Sequence, residues 1–277
     1  MKRDIYFCSF ADSKMKSTLQ RIGKEAQNFK LFKEIFLYTE NELPSCTKER
    51  CEEIIKTTNS LRGYGYWIWK PLIILDSLSK IKDGDILFYS DAGSHLNCNG
   101  KSLFKKYIKN AIKKDIWVGQ LKDNFNENKY SKADTIEWFK PRLKDTSILF
   151  QGQIQSGNII LVKNSYTLDI IKIWNDIMDI KNLHLYDDSP SIIPNHKDFV
   201  EHRHDQSIFS LLIKTNHAYL SNAEEFWCPH ELWDQCKMPI LNMRDKSDKY
   251  GPIQFIKLHN RFINWARRNY HSLIKNK

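Results

Sequence analysis

Along the first half of the chain, short apolar runs alternate with longer stretches in which apolar residues recur every three or four positions. Ile5 to Phe10 reads as a first strand. Ser13 opens a helix over Lys14 to Phe29, with Met15, Leu19, Ile22 and Ala26 on its apolar face. Phe36 to Tyr38 predicts a second strand, and a polar loop over Thr39 to Thr47 leads into a helix from Lys48 to Thr57. That order predicts a parallel sheet covered by helices through right-handed crossovers. Ile86 to Tyr89 is apolar without alternation, the pattern of a strand buried on both faces.

Farther on, the pattern predicts a helix over Ser102 to Ile112 and a strand over Ile116 to Val118. Lys122 to Lys132 reads as a mobile polar loop. Gln151 to Val162 is a polar, glycine-containing approach to a buried strand, in which Gly157 allows close passage of a ligand or another backbone segment. A helix over Ser165 to Ile180 follows, with Leu168, Ile171, Trp174 and Ile177 on one face.

Composition bounds this picture. Hydrophobic residues make up 41% and aromatics 13% of 277 residues, enough for a sizeable core, and no Gly, Ser or Pro-rich tract offers a linker. One α/β catalytic domain over residues 1–245 is expected, with a basic helical C-terminal extension over residues 246–277. No stretch approaches the roughly 18 to 20 apolar residues that span a bilayer, and the N-terminal apolar run ends too soon for a secretory signal. A cytoplasmic protein is therefore expected. Six scattered cysteines fit a reducing compartment, and Cys228, His230 and Cys236 match no standard zinc spacing, so they read as structural.

A formal net charge of +10 points to an anionic partner. The lysines are dispersed, which suits a solvated surface better than a nucleic-acid groove. In the final segment, Phe262, Ile263, Trp265 and Tyr270 mix with Arg261, Arg267 and Arg268. Such a helix can lie on an anionic membrane or pack as an ordinary amphipathic helix.

Candidate chemistry gathers at three places. Asp91 directly follows the strand at Ile86 to Tyr89, and ligands of open α/β sheets bind beyond the carboxyl ends of strands. Taken alone, Asp91-Ala92-Gly93 reads more readily as a turn ending a core strand. In Arg62 to Pro71, Pro71 suits the first turn of a helix and puts Lys70 at its N-terminus, where backbone N–H groups favour an anion. Asp205 stands near the start of an apolar helix, as an N-cap or first-turn residue would, and also where a carboxylate can be aimed into a cleft.

Gly65-Tyr66-Trp67-Ile68-Trp69-Lys70-Pro71, Asp83-Gly84-Asp85-Ile86 running into Asp91-Ala92-Gly93, Gln155-Ser156-Gly157 and His204-Asp205-Gln206-Ser207 occur in that order. Together they resemble the GT-A type glycosyltransferases, many of them bacterial enzymes of cell-surface polysaccharide or lipopolysaccharide assembly. The resemblance extends from about Arg62 to Arg244. It implies a Rossmann-like, mostly parallel sheet flanked by helices. It also implies transfer of a hexose from a nucleotide diphosphate sugar, UDP-linked in the expected case, to a saccharide or lipid-linked saccharide acceptor.

The usual acid-any-acid signature is incomplete here, because Gly93 stands in the second acid's place. The resemblance implies Mn²⁺ or Mg²⁺ on the diphosphate with Asp91 as ligand, and Ser90, Asn97 or His259 could complete the shell. Lys70 with Arg62 could instead neutralise the diphosphate without a metal. Asp205 is the candidate contact to the transferred sugar or the general base. Gly93, Gln155, Gly157, His204 and Gln206 are expected around the ligand, with Trp67 stacking on a ring. The competing readings are a nucleic-acid-binding protein, a phosphatase using Asp91 as nucleophile, and a membrane-surface module without catalysis. No nucleic-acid motif supports the first, the second lacks its partner acid, and the third accounts only for the tail.

Overall fold

The structure is a computed structural model and describes residues 3–246. The chain lays down β1 (Ile5–Phe10), α1 (Lys16–Phe29), β2 (Glu34–Tyr38), α2 (Ser45–Thr58), the single turn α3 (Gly63–Tyr66), α4 (Trp69–Ser79) and β3 (Ile86–Ser90). There follow β4 (His95–Leu96), α5 (Lys101–Lys114), β5 (Ile116–Gln120), α6 (Glu127–Tyr130), α7 (Ala133–Phe139) and β6 (Ile154–Val162). The last described elements are α8 (Ser165–Ile177), α9 (His204–Lys214), β7 (Tyr219–Asn222) and β8 (Ile240–Leu241).

Six strands form one sheet in the order β2-β1-β3-β6-β5-β7. The pairs β1–β2, β1–β3 and β5–β7 are parallel, whereas β6 runs antiparallel to both its neighbours. The segment from the end of β5 to the start of β6 returns to the edge it left, so no crossover is needed and β6 must enter reversed. Its amino end therefore lies at the same edge as the carboxyl ends of β3, β5 and β7. This edge is where the candidate residues collect.

Both sheet faces are covered, as the unbroken apolar run of β3 requires. On one face Tyr6, Leu87, Tyr89 and Leu161 pack with Ile54 of α2, Ile73 of α4, Trp174 of α8 and Phe209 of α9. On the other, Phe7, Phe88 and Ile160 pack with Ile22 of α1 and Phe104 of α5. Each such side chain, fully buried, contributes about 1.5–3 kcal/mol. The architecture is thus an α/β sheet with mostly parallel strands flanked by helices, a Rossmann-like arrangement compatible with the GT-A type.

The stretch expected as a mobile loop, Lys122 to Lys132, is folded. It carries α6, and Glu127 inside it is fully buried. Its carboxylate takes the ammonium of Lys214 at 2.8 Å and the hydroxyl of Ser131 at 2.7 Å. A buried acid needs such partners, and the charged one, Lys214, comes from α9, far along the chain. Among the described residues, no helix is long and apolar enough to cross a membrane. The expected extension over residues 246–277 lies, but for its first residue, outside the described residues.

Candidate active site

Residues 63–67 make a left-handed turn: φ is +57° at Gly63, +49° at Tyr64, +84° at Gly65, +52° at Tyr66 and +62° at Trp67. For Tyr64, Tyr66 and Trp67 this costs roughly 1–2 kcal/mol each, so surrounding contacts must hold it. The Tyr66 hydroxyl donates to Asp188 Oδ2 at 2.8 Å, the Trp69 indole N–H to the Gly63 carbonyl at 2.9 Å, and Trp67 stacks on His204 with centroids 5.3 Å apart. A Cβ on Gly65 would stand 3.0 Å from Cys51 Cα. Gly65→Ala, which adds a clash to a strained φ, is expected to cost about 1–3 kcal/mol. Urea melts of both proteins check this, and equal midpoints would show that the turn is not held there.

The turn delivers α4, with Lys70 as its second residue. Lys70 is 1% exposed, and its ammonium lies 2.6 Å from Asp205 Oδ2, 3.2 Å from Asp91 Oδ1 and 3.4 Å from Ser156 Oγ. Ser156 donates to the same Asp205 oxygen at 2.7 Å. Burial works against the Lys70 charge, but the attraction of Asp205 and Asp91 outweighs it and raises the pKa above the usual lysine value. The stability that this cation provides is thus complete below the ordinary lysine pKa and is lost only as pH rises through the higher folded value.

The two acids differ in access. Asp91 has 44% of its side chain exposed and Asp205 8%. The Tyr89 hydroxyl donates to Asp91 Oδ1, so Oδ1 is shared between Tyr89 and Lys70. Burial, and then the charge of Asp91, hold the Tyr89 phenol well above its usual pKa. Asp91 Oδ2 rests over Gly157, where an added Cβ would come within 2.8 Å of it. The Asp91 N–H donates to the Gly157 carbonyl at 2.8 Å, extending the β3–β6 ladder by one residue. Asp205 Oδ1 has no hydrogen-bond partner among the described residues.

Beneath the turn after β3 lies a buried cluster that the sequence reading did not single out. Arg21 donates to the carbonyls of Ala92 and Ser94, each at 2.9 Å, and pairs with Glu25 at 3.1 Å. Glu25 accepts the Leu96 N–H at 2.8 Å and stands 2.9 Å from His95 Nδ1. His95 Nε2 lies 3.2 Å from Asp245, whose own N–H donates to the Gly93 carbonyl at 2.9 Å. Through the pairing of β4 with β8, residues 240–245 clamp Asp91-Ala92-Gly93 from outside while Arg21 ties it from below. An Arg and a Glu four apart on the apolar face of α1 were the available signal.

Of the residues expected in the site, Lys70, Asp91, Asp205 and Gly157 come together, joined by Ser156. Gln155 faces Asn242, which donates to it at 3.1 Å. Ser90 is buried with its hydroxyl on Asn158 at 2.8 Å, and Asn97 is spent on the Cys236 carbonyl at 2.8 Å and the Asn99 N–H at 3.0 Å. Neither offers its oxygen to a cation beside Asp91. Arg62 pairs with Asp188 at 2.9 Å on the surface. His204 donates from Nδ1 to the Tyr186 carbonyl at 2.8 Å, and burial holds its pKa below the usual value. Gln206 bonds Gln153 at 2.8 Å, within the network around Glu127. His259 lies outside the described residues.

Among the described residues, no three His, Cys, Asp or Glu side chains converge as a metal shell. Cys228 and Cys236 pack with Trp233 and Leu241 in a small core. Among the described residues, the donor set beside the site fits a divalent cation with Asp91 Oδ2 as the protein carboxylate and the remaining positions filled by phosphate oxygens and water.

No protein-family model matches the chain, and no curated protein matches it. Solved structures give distant likenesses. One is a glycosyltransferase involved in glycosylation of the major capsid of PBCV-1, with 9% identity, a TM-score of 0.49 and coverage of 94% of this chain and 99% of that one. The galactosyltransferase LgtC gives 13% identity, a TM-score of 0.43 and coverage of 85% and 86%. Bifunctional IspDF from Campylobacter jejuni gives 14%, a TM-score of 0.35 and coverage of 85% and 55%. Likenesses this distant decide nothing about activity.

Proposed function

We propose that the chain is a GT-A type glycosyltransferase that moves a hexose from a nucleotide diphosphate sugar, UDP-linked, to a saccharide or lipid-linked saccharide hydroxyl. The observation that carries this reading is the buried ammonium of Lys70 bridging Asp91 and Asp205 at the carboxyl end of β3. A lysine held this way sets a cation between two carboxylates and offsets their mutual repulsion. The site therefore presents net negative charge to a reacting centre that becomes oxocarbenium-like, and its geometry is fixed before substrate arrives.

Asp91, with its open Oδ2, is the carboxylate that meets the reacting groups, and Asp205 contacts the transferred sugar through Oδ1. Lys70, its donors taken by Asp91, Asp205 and Ser156, acts as a positioning residue and leaves the diphosphate to other cations. A divalent cation brought with the diphosphate, Mn²⁺ or Mg²⁺, would be held by Asp91 and would neutralise charge on the leaving group. The setting consistent with this is surface-glycan synthesis by a cytoplasmic protein with peripheral contact on an anionic membrane. No described feature favours nucleic acid as partner.

A panel of nucleotide sugars, each assayed for turnover with Mn²⁺, with Mg²⁺ and with chelator, tests the reading. At least one donor should be consumed, and the purified protein should carry less than one equivalent of metal until nucleotide is added. No consumption of any donor overturns the transferase reading. A stoichiometric ion that survives dialysis without nucleotide overturns the one-carboxylate account of the metal.

A further inference from the structure

At the same edge of the sheet, beyond the ends of β5 and β7 and beside the start of β6, lies a cavity of about 310 Å³. Its size falls at the lower end of small-ligand sites. Gln155 and Asn242 stand in its wall, Phe125 and Trp227 supply aromatic surface, and Lys122 with Glu224 frame it. We infer that this cavity seats one uncharged pyranose ring of the acceptor, stacked on Trp227. The inference rests on the transferase reading and adds to it the substrate class and the residues that would select it.

Three observations converge. First, Trp227 is 61% exposed, although burying that ring would be worth more than any other side chain offers. A large aromatic left open at a cavity mouth provides a flat apolar face for the C–H face of a ring, with an N–H at its edge. Second, the polar groups inside are amides. Asn242 is fixed by Ser94 at 2.9 Å, Asn158 at 2.6 Å and Gln155 at 3.1 Å, while the Gln155 NH₂ has no partner among the described residues and is left to meet a hydroxyl. Third, the only charges framing the cavity among the described residues, Lys122 and Glu224, pair with each other at 2.5 Å. A phosphate or a carboxylated sugar would need an uncompensated cation there.

The cavity also touches the acid–lysine cluster through neighbours in the chain. Gln155 precedes Ser156, which bonds Asp205, and Asn242 bonds Ser94 in the turn that follows Asp91. Successive residues of β6 point to opposite faces, so the cavity and the cluster meet at one edge of the sheet from its two sides.

The test reads binding without turnover. The full chain is titrated with methyl glycosides of glucose, galactose, mannose and N-acetylglucosamine, and with UMP, while tryptophan emission is followed. At least one glycoside should change the emission of the native protein, bind about tenfold more weakly to Trp227→Ala and recover to within about threefold in Trp227→Phe. The inference is overturned if no glycoside binds, if binding persists undiminished in Trp227→Ala, or if UMP alone produces the Trp227-dependent change. Because these readouts need no transfer, failure of the transferase reading leaves them standing, and their failure beside intact donor consumption refutes the cavity alone.

Discussion

Asp91→Asn is expected to lower sugar transfer by about 10²–10⁴-fold while leaving the protein folded. The carboxylate is partly exposed, and its backbone place is fixed by the Gly157 carbonyl and by the clamp of residues 240–245, none of which the amide disturbs. Asparagine keeps the shape but loses the charge, so whatever cation or developing positive charge Asp91 faces is left without its counterpart. The measurement is kcat with the best donor, beside circular dichroism and melting temperature. Wild-type turnover by a properly folded Asp91→Asn would remove this residue from the chemistry. Asp205→Asn belongs in the same assay, with the same consequence for its role.

Lys70→Met should act first on stability. It removes the ammonium and leaves Asp205, with 8% of its side chain exposed, facing Asp91 with no cation between them. Breaking a buried pair from one side costs about 3–5 kcal/mol, which for a chain of this size lowers the melting temperature by roughly 6–20 °C. Adding Asp205→Asn to Lys70→Met should restore a good part of the loss, since the stranded charge goes too. Calorimetry of the native, single and double variants decides it. A single variant melting within about 2 °C of the native protein would show that the ion cluster does not hold α4 and α9 together.

Much of the sheet is written in local pattern. The apolar runs at Ile5 to Phe10 and Ile86 to Tyr89 read as strands and are strands, and the carboxylate after the second falls where strand ends make binding crevices. Lys70 and Asp205 were legible for a related reason, because both stand in the first turns of helices that start at the same edge. What could not be read depends on partners distant in sequence. The apolar pattern of β6 is the same whichever way the strand runs, so its reversal is set by the return of the β5–β6 segment to its starting edge.

The polarity of Lys122 to Lys132 signalled a solvated loop, yet Glu127 is matched by Lys214, 87 residues later. Arg62 and Trp67 carried the right chemistry for a ligand, and the fold spends them on Asp188 and His204. The left-handed run over residues 63–67 had one cue, its two glycines, which also fit an ordinary loop.

The clamp on the Asp91 turn sets an order in time. Arg21 and Glu25 precede Asp91 by some seventy residues, and the strand and carboxylate that fasten the turn, β8 and Asp245, are added only after every strand of the main sheet has been synthesised. A growing chain can pair its main sheet and pack the face covered by α2, α4, α8 and α9 while Asp91 still lacks its outer fastening, whereas the opposite core waits for Ile240 of β8. The turn that carries Asp91 is thus completed by residues that come after the last strand of the main sheet, so the sheet precedes the clamp in the order of assembly.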